Sequence, residues 1–209
     1  MNLIENLKWR YATKKFDPTK KVPAKKLAYL KEAVQLSVSS YGLQLYKVLI
    51  IEDDEVRKKL KAASWDQSQI TDASQLFVFC HYNERKDEHI DAYIHLTAET
   101  QNIPVSTLSG YGDFMKNSLS QKTDTEWRSW SKSQTYLALS NLLMASAELK
   151  IDACPMEGFD PAQYSDILNL EEQGLSASVL ATVGYRSNED KTQFRPKVRK
   201  PFDILFEEI

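Results

Sequence analysis

The run Leu76-Phe77-Val78-Phe79-Cys80 contains no polar side chain. Read as a strand, it presents apolar groups on both faces, so it must lie inside a sheet that is covered on each side. The longest helical pattern supplies one cover. It opens with a capping box, Thr123 and Glu126, and runs to Lys150; residues 137–149 are apolar on most sides and predict a central core helix. Further strands are predicted at 46–51, at 151–154, and at 178–183, the last closed by Gly184. A first helix is expected from a capping box of Asn2 and Glu5, with Leu3, Leu7 and Tyr11 as its apolar stripe. A second is expected from a first-turn Pro23, burying Leu27, Leu30, Val34 and Val38. Others are expected at 53–63, 86–101 and 160–170, while 104–118 has no clear pattern. From Arg186 the tail is polar and basic up to Lys200, then Phe202, Ile204 and Phe206 alternate with Asp203 and Leu205, the pattern of a terminal strand. Such a strand needs a surface to pair with, and a second subunit is the natural candidate. No repeat or linker interrupts the 209 residues, so one α+β domain over 1–209 is expected, with residues 186–209 as a C-terminal arm.

Charge and composition remove several functions. Lys plus Arg is 27 and Asp plus Glu is 29, giving a net charge of −2, against the basic excess of a general nucleic-acid binder. Mean hydropathy is −0.47, and no run approaches the roughly 18 apolar residues of a membrane span. The opening MNLIENLKWR lacks the apolar block of a signal peptide, and Cys80 and Cys154 form no CxxC pair. Reduced, buried cysteines in a cytoplasmic protein are the expectation. Three histidines without HExxH argue against a metal centre, and GxSxG is absent. Gly110-Tyr111-Gly112 is followed by Met115 where GxGxxG needs a third glycine, and no P-loop occurs. A phosphate, if one is bound, must be held by side chains.

Two basic clusters could do so: Arg10-Tyr11-Ala12-Thr13-Lys14-Lys15 and Arg195-Pro196-Lys197-Val198-Arg199-Lys200. In an extended segment Lys197 and Arg199 share a face, and a planar fork beside a point charge suits a phosphate dianion. Solvated charges flanking core segments fit the same spacing, and a cation such as Lys14 near a helix C-terminus is favoured by the helix dipole alone. Ser39-Ser40 with Gln44 offers hydroxyls and an amide after a helix, Trp65 precedes Asp66-Gln67-Ser68-Gln69, and Pro155-Met156-Glu157-Gly158-Phe159 follows a short strand with a glycine that permits close approach. Each also reads as an ordinary loop or turn. Trp127, Trp130, Gln134 and Leu137 at helical spacing read as core.

In order, these pieces resemble the nitroreductase family of FMN-dependent NAD(P)H oxidoreductases. The segment from Arg10 to Asp17 is similar to the family's Arg-(His/Tyr)-Ser-x-(Lys/Arg)-x-Phe start, and Ser39-Ser40 with Gln44 to its Ser-Ser-x-x-x-Gln. Asp72-Ala73-Ser74, Gln134-x-Tyr136, the segment 155–159 and Lys197-Val198-Arg199 complete six motifs in register across essentially the whole chain. The resemblance implies an α+β homodimer with a mixed, mostly antiparallel sheet flanked by helices, exchanging its C-terminal arm, and FMN in the interface.

By that resemblance Arg10, Lys197 and Arg199 would hold the phosphate with Ser39 nearby, and Tyr11 and Ala12 would contribute contacts. Lys14, Asp66 and Gln69 would meet the pyrimidine edge. Pro155, Met156, Glu157 and Gly158 would line the ring, and Ser40 and Gln44 would come from the other subunit. Trp65 and Phe114 would cover the substrate face. The implied chemistry is ping-pong transfer of hydride or electrons from NAD(P)H to a small-molecule acceptor such as a nitroaromatic, a quinone or a free flavin, with no catalytic side chain. Ala12 stands where the family usually has Ser, Leu45-Tyr46 where it has Pro-Trp, and Asp66 and Gln69 where many members have Asn and Lys. A specialised flavin enzyme, a non-catalytic flavin-binding protein and a cofactor-free helical interaction domain are the alternatives.

Overall fold

A computed structural model describes residues 2–209. The chain runs α1 (Leu3–Trp9), α2 (Ala24–Gln35), β1 (Tyr46–Ile51), α3 (Asp54–Ala62), α4 (Gln69–Asp72), β2 (Gln75–Tyr82), α5 (Asp87–Gln101), α6 (Ser109–Ser120), α7 (Asp124–Glu148), β3 (Asp152–Met156), α8 (Pro161–Leu168), β4 (Leu175–Gly184) and α9 (Phe202–Leu205). The sheet order is β1-β2-β4-β3, and all three pairings are antiparallel. The expected mixed sheet is thus antiparallel throughout its named strands; a parallel contact occurs as the single bridge between Ala12 and Ala153.

The apolar run of β2 lies at the centre of this sheet, with cover on both faces as its sequence demands. Leu76, Val78 and Cys80 face α3, α4 and α8 through Leu60, Ile70 and Tyr164. Phe77 and Phe79 face α2 and α7 through Leu30, Val34, Ala138 and Leu142. The β2–β4 register slips between Phe79 and Cys80, where Phe79 pairs with Val179 and Cys80 with Ala177. Ser178 is the extra residue, so Leu175 and Ala177 share a face with Leu180, while Val179, Ala181 and Val183 turn to the other. A third cluster joins α5, α6 and the start of α7 through Ile90, Ile94, Met115, Leu119 and Trp127.

The expected helices and strands form with boundaries moved by a few residues. The Thr123–Glu126 capping box opens α7, and Asp53 and Asp160 cap α3 and α8. Pro23 is the N-cap of α2 rather than its first-turn residue. The helix ends at Gln35, which leaves Val38 exposed beyond it. The stretch 104–118 becomes a 3-10 turn followed by α6. In α1 the expected apolar stripe is not the buried face: Leu3 is 54% exposed, and the buried residue is Asn6, whose Oδ1 accepts from Lys150 Nζ at 2.7 Å. Tyr11 lies past the helix end. The predicted terminal strand is replaced by the one-turn α9, entered from Pro201, with Phe202 and Phe206 packed on each other at 4.5 Å and both exposed. A strand requires a neighbouring backbone to bond with, and the tail has none within this chain. No helix of the described residues is long and apolar enough to cross a membrane.

One buried cation fixes the loop that enters β2. Arg57 on α3 is 2% exposed and donates to the carbonyls of Ile70 (2.7 Å), Ala73 (2.6 Å) and Ser74 (3.2 Å). It thereby satisfies the C-terminal carbonyls of α4. Replacing it strands those acceptors and leaves a cavity. Arg57→Ala is expected to lower unfolding free energy by about 3 kcal/mol in denaturant titrations.

His81 on β2 is buried against Ser178, with Nδ1 at 2.7 Å from Oγ. Burial, reinforced by Lys132 and Arg128, pushes its pKa down to about 4 from 6.5. The unfolded chain therefore binds the extra proton between those values, so stability is complete above about pH 6.5 and declines towards pH 4. Thermal unfolding across that range should show a flatter acid slope in His81→Gln, with roughly 1–3 kcal/mol of the pH dependence removed.

Candidate functional site

Both ends of the chain meet at the β3 edge of the sheet. After α1, Ala12 bridges Ala153 and Thr13 N donates to Ala153 O at 3.2 Å. Phe16 bridges Arg186, and Ser187 N donates to Lys15 O at 2.9 Å. The chain after β4 is thus laid alongside the segment after α1. Arg186 is gripped as it passes: it pairs with Asp152, and its guanidinium lies 4.5 Å from the Trp9 ring and 4.6 Å from the Tyr11 ring.

Between these segments lies an open cleft of about 400 Å³, lined by Trp9, Arg10, Tyr11, Arg195, Lys197 and Arg199, among others. The two basic clusters therefore share one cavity. Lys197 Nζ donates to Leu7 O at 2.6 Å and to Arg10 O, capping the C-terminus of α1. The helix-end role that Lys14 could have filled belongs to Lys197. Among the described residues, none of Arg10, Arg195, Lys197 and Arg199 forms an ion pair with a carboxylate. Desolvation and then Arg199 push the Arg10 pKa down; desolvation, then Arg10 and Arg199, do the same to Lys197. These cations repel one another without a countercharge, the electrostatic signature of an anion site.

A second group of expected residues surrounds the end of β3. Lys14 Nζ lies 3.9 Å from Cys154 Sγ, and buried Gln69 also reaches that sulfur. Burial pushes the Cys154 thiol up, against the opposing effect of Lys14. Met156 differs from the expectation that it lines a ligand: its side chain is buried in the core, which leaves its backbone for such a contact. Glu157 Oε1 accepts from Tyr136 Oη on α7, and Tyr136 is pushed up to about 12 by burial and that carboxylate. Trp65 and Asp66 both adopt left-handed backbone, φ 53° and 56°. This sharp turn lays the 72%-exposed Trp65 against Gly158, where an added Cβ would fall 2.7 Å from the Trp65 ring. A side chain at 158 would displace the Trp65 ring and the Gln67 amide from this packing.

Other expected residues lie elsewhere. Ser39 Oγ accepts from Gln44 N at 2.9 Å, Ser40 N donates to Gln134 Oε1 at 2.8 Å, and Gln44 Nε2 donates to Gln35 O at 2.7 Å. Ser39, Ser40 and Gln44 form a loop of their own and do not line the cationic cleft, so Ser39 is not beside Arg10 in this chain. Phe114 is exposed on α6, its ring 6.4 Å from those of Tyr111 and Tyr41.

Two residues have roles that the sequence reading did not give them. Gln67 Nε2 donates to Gly158 O (2.7 Å) and Ser64 O (3.0 Å), tying the Trp65 turn to the 155–158 segment. Asp190 joins the two chain ends. The polar segment after Trp65 marked Gln67 as a candidate ligand contact or turn residue, not as a brace to Gly158; for Asp190 the run Asn188-Glu189-Asp190 was a visible turn signal without an indication of its distant partners.

The sequence matches the pattern described as "Nitroreductase family" over residues 7–185. It is 36% identical over 213 residues to "Putative NAD(P)H nitroreductase YfkO" of Bacillus subtilis, covering 94% of this chain and 92% of that protein. It is 32% identical over 211 residues to "Putative NAD(P)H nitroreductase SERP2086" of Staphylococcus epidermidis, covering 97% and 94%. Among solved structures, the "putative nitroreductase ydfN" of Bacillus subtilis superposes with a TM-score of 0.85 at 20% identity, covering 99% of this chain and 98% of that one. A "putative nitroreductase in complex with FMN" of Exiguobacterium sibiricum gives 0.85 at 17% identity, covering 100% and 98%. These likenesses establish a nitroreductase-like α+β fold, and the chain belongs to the nitroreductase family.

Proposed function

We propose that this protein is an FMN-dependent oxidoreductase that carries reducing equivalents from NAD(P)H to nitroaromatics, quinones or related acceptors. The carrying observation is the cleft in which Arg10, Lys197 and Arg199 converge without a carboxylate partner. That donor set fits a phosphate dianion, since a planar guanidinium fork and an ammonium meet its oxygens and its charge relieves their repulsion. FMN, when bound, supplies reversible hydride and electron transfer that no side chain here can perform, with NAD(P)H and acceptor used in turn.

The chain's own part is binding and orientation. Arg10, Lys197 and Arg199 hold the phosphate, with Tyr11 and Ala12 alongside. Lys14, Asp66 and Gln69 offer donors and charge to the pyrimidine edge. The backbone from Pro155 to Gly158 lines the ring, held by Gln67 and by the Tyr136–Glu157 bond. Trp65 covers the substrate side.

Residues 1–209 act as one unit, and the working form is a homodimer in a reducing, cytoplasmic setting. Exposed apolar side chains support the dimer: Leu3, Ile4, Leu36, Val38 and Leu137 on one region, and Val198, Phe202, Ile204, Leu205 and Phe206 on the arm. Ser39, Ser40, Gln44 and Phe114 then serve the site of the partner subunit, which accounts for their absence from the cationic cleft.

Purified protein should show the absorption bands of bound flavin, and these should bleach on anaerobic addition of NAD(P)H. A yellow protein that fails to bleach would be a non-catalytic flavin binder, and a colourless one that takes up no added FMN would exclude the proposal. Arg199→Ala should weaken FMN affinity by about tenfold or more, measured by fluorescence titration of cofactor-free protein. Sedimentation should give a dimer, and removal of residues 201–209 should shift it towards monomer.

A further inference from the structure

Asp190 is 1% exposed, yet its carboxylate carries four hydrogen bonds. Oδ2 accepts from Lys14 N (2.8 Å), Tyr11 Oη (3.0 Å) and Lys15 N (3.2 Å); Oδ1 accepts from Thr192 N (2.9 Å). Capping the turn after it requires the Thr192 bond alone. The other three donors lie 175 to 179 positions away in sequence. The cations of the cleft flank these donors on both sides: Arg10 immediately precedes Tyr11, and Lys197 and Arg199 follow Thr192 by a few residues. Asp190 forms no ion pair with any of them, so its charge is spent on N–H and O–H groups and leaves the cations uncompensated.

We propose that Asp190 is the positioning residue of the anion cleft, a clamp that sets the separation between Arg10 on one chain end and Lys197 and Arg199 on the other. This rests on the reading of the cleft as the FMN phosphate site. Asp190 is too deeply buried to touch the ligand and acts through the residues it holds. The arm beyond residue 195 is exposed and Lys197 keeps its own bonds to Leu7 O and Arg10 O, so loss of the clamp loosens the arm and above all frees Arg199 to move away from Arg10. The consequence falls chiefly on the phosphate: of the groups around the ring only Lys14 is held by Asp190, through its backbone N, while the 155–158 segment is held by Gln67 and Tyr136.

The test is titration of cofactor-free wild type and Asp190→Asn with FMN and with riboflavin, which lacks the phosphate. Asparagine keeps the shape and removes the charge. The expected result is that FMN affinity falls by about tenfold or more while riboflavin affinity changes by less than about threefold. Equal losses for both ligands, or no loss for either, overturn the clamp while leaving the flavin reading intact. Wild type that binds FMN no better than riboflavin overturns the phosphate reading and the clamp with it. Should Asp190→Asn not fold, amide exchange on cofactor-free wild type decides: Lys14, Lys15 and Thr192 are expected to be protected together, and exchange at unfolded-chain rates overturns the proposal.

Discussion

The double burial of β2 governs the architecture. A central strand without a polar side chain forces helices onto both faces, and those helices have different tasks. α2 and α7 build one side from aliphatic residues, and α7 starts in the helical region near α5 and α6. α3, α4 and α8 build the other and carry the turns around Trp65 and Gly158. The bulge at Ser178 lets one strand, β4, serve both layers, since it changes which alternate residues face which side. With the interior closed in this way, β3 remains as an edge, and the chain ends use that edge as their track.

Those ends are joined by polar rather than apolar contacts. Asp190, Arg186 and Lys197 each bond to groups from the first fifteen residues or to the base of β3. Arg186 is held by a carboxylate and two aromatic faces. Asp190 is held by N–H and O–H donors that outweigh the burial opposing its ionisation, so its carboxyl stays below its ordinary value. The carboxylates of this region, Asp152 and Asp190, are fully engaged, while the cations around the cleft have no carboxylate partner. The contrast separates residues that build the cleft from residues left over to bind in it.

Much of this was legible in the sequence because it depended on local signals. The capping box at Thr123, the helix starts near Asp53 and Asp160, and the apolar strands are local, and they appear close to where they were expected. The meeting of Arg10 with Lys197 and Arg199 is not local; the order of motifs shared with a family pointed to it, whereas spacing alone favoured solvated charges. What stayed hidden required knowledge of neighbours. Asn6 is buried and Leu3 exposed on α1 because Lys150, just past the end of α7, reaches the amide, a fact no helical periodicity contains. The alternating tail reads as a strand, yet a strand needs a second backbone and a lone tail forms a single helical turn instead. The left-handed pair Trp65-Asp66 carries no glycine to announce it, and it is stabilised by what lies around it, including the buried Arg57 that anchors the next turn.

Lys197 and the Arg10 carbonyl it grips are 187 positions apart, about as far as two partners in this polypeptide can be. During translation Arg10 leaves the ribosome long before Lys197 exists, and the sheet and its two helical layers can be complete in between. The cleft is therefore a late product of biogenesis: a truncated or stalled chain can own the whole hydrophobic interior and still lack the charges from its far end. Capacity to capture an anionic ligand in this cleft thus requires that synthesis has proceeded through Arg199.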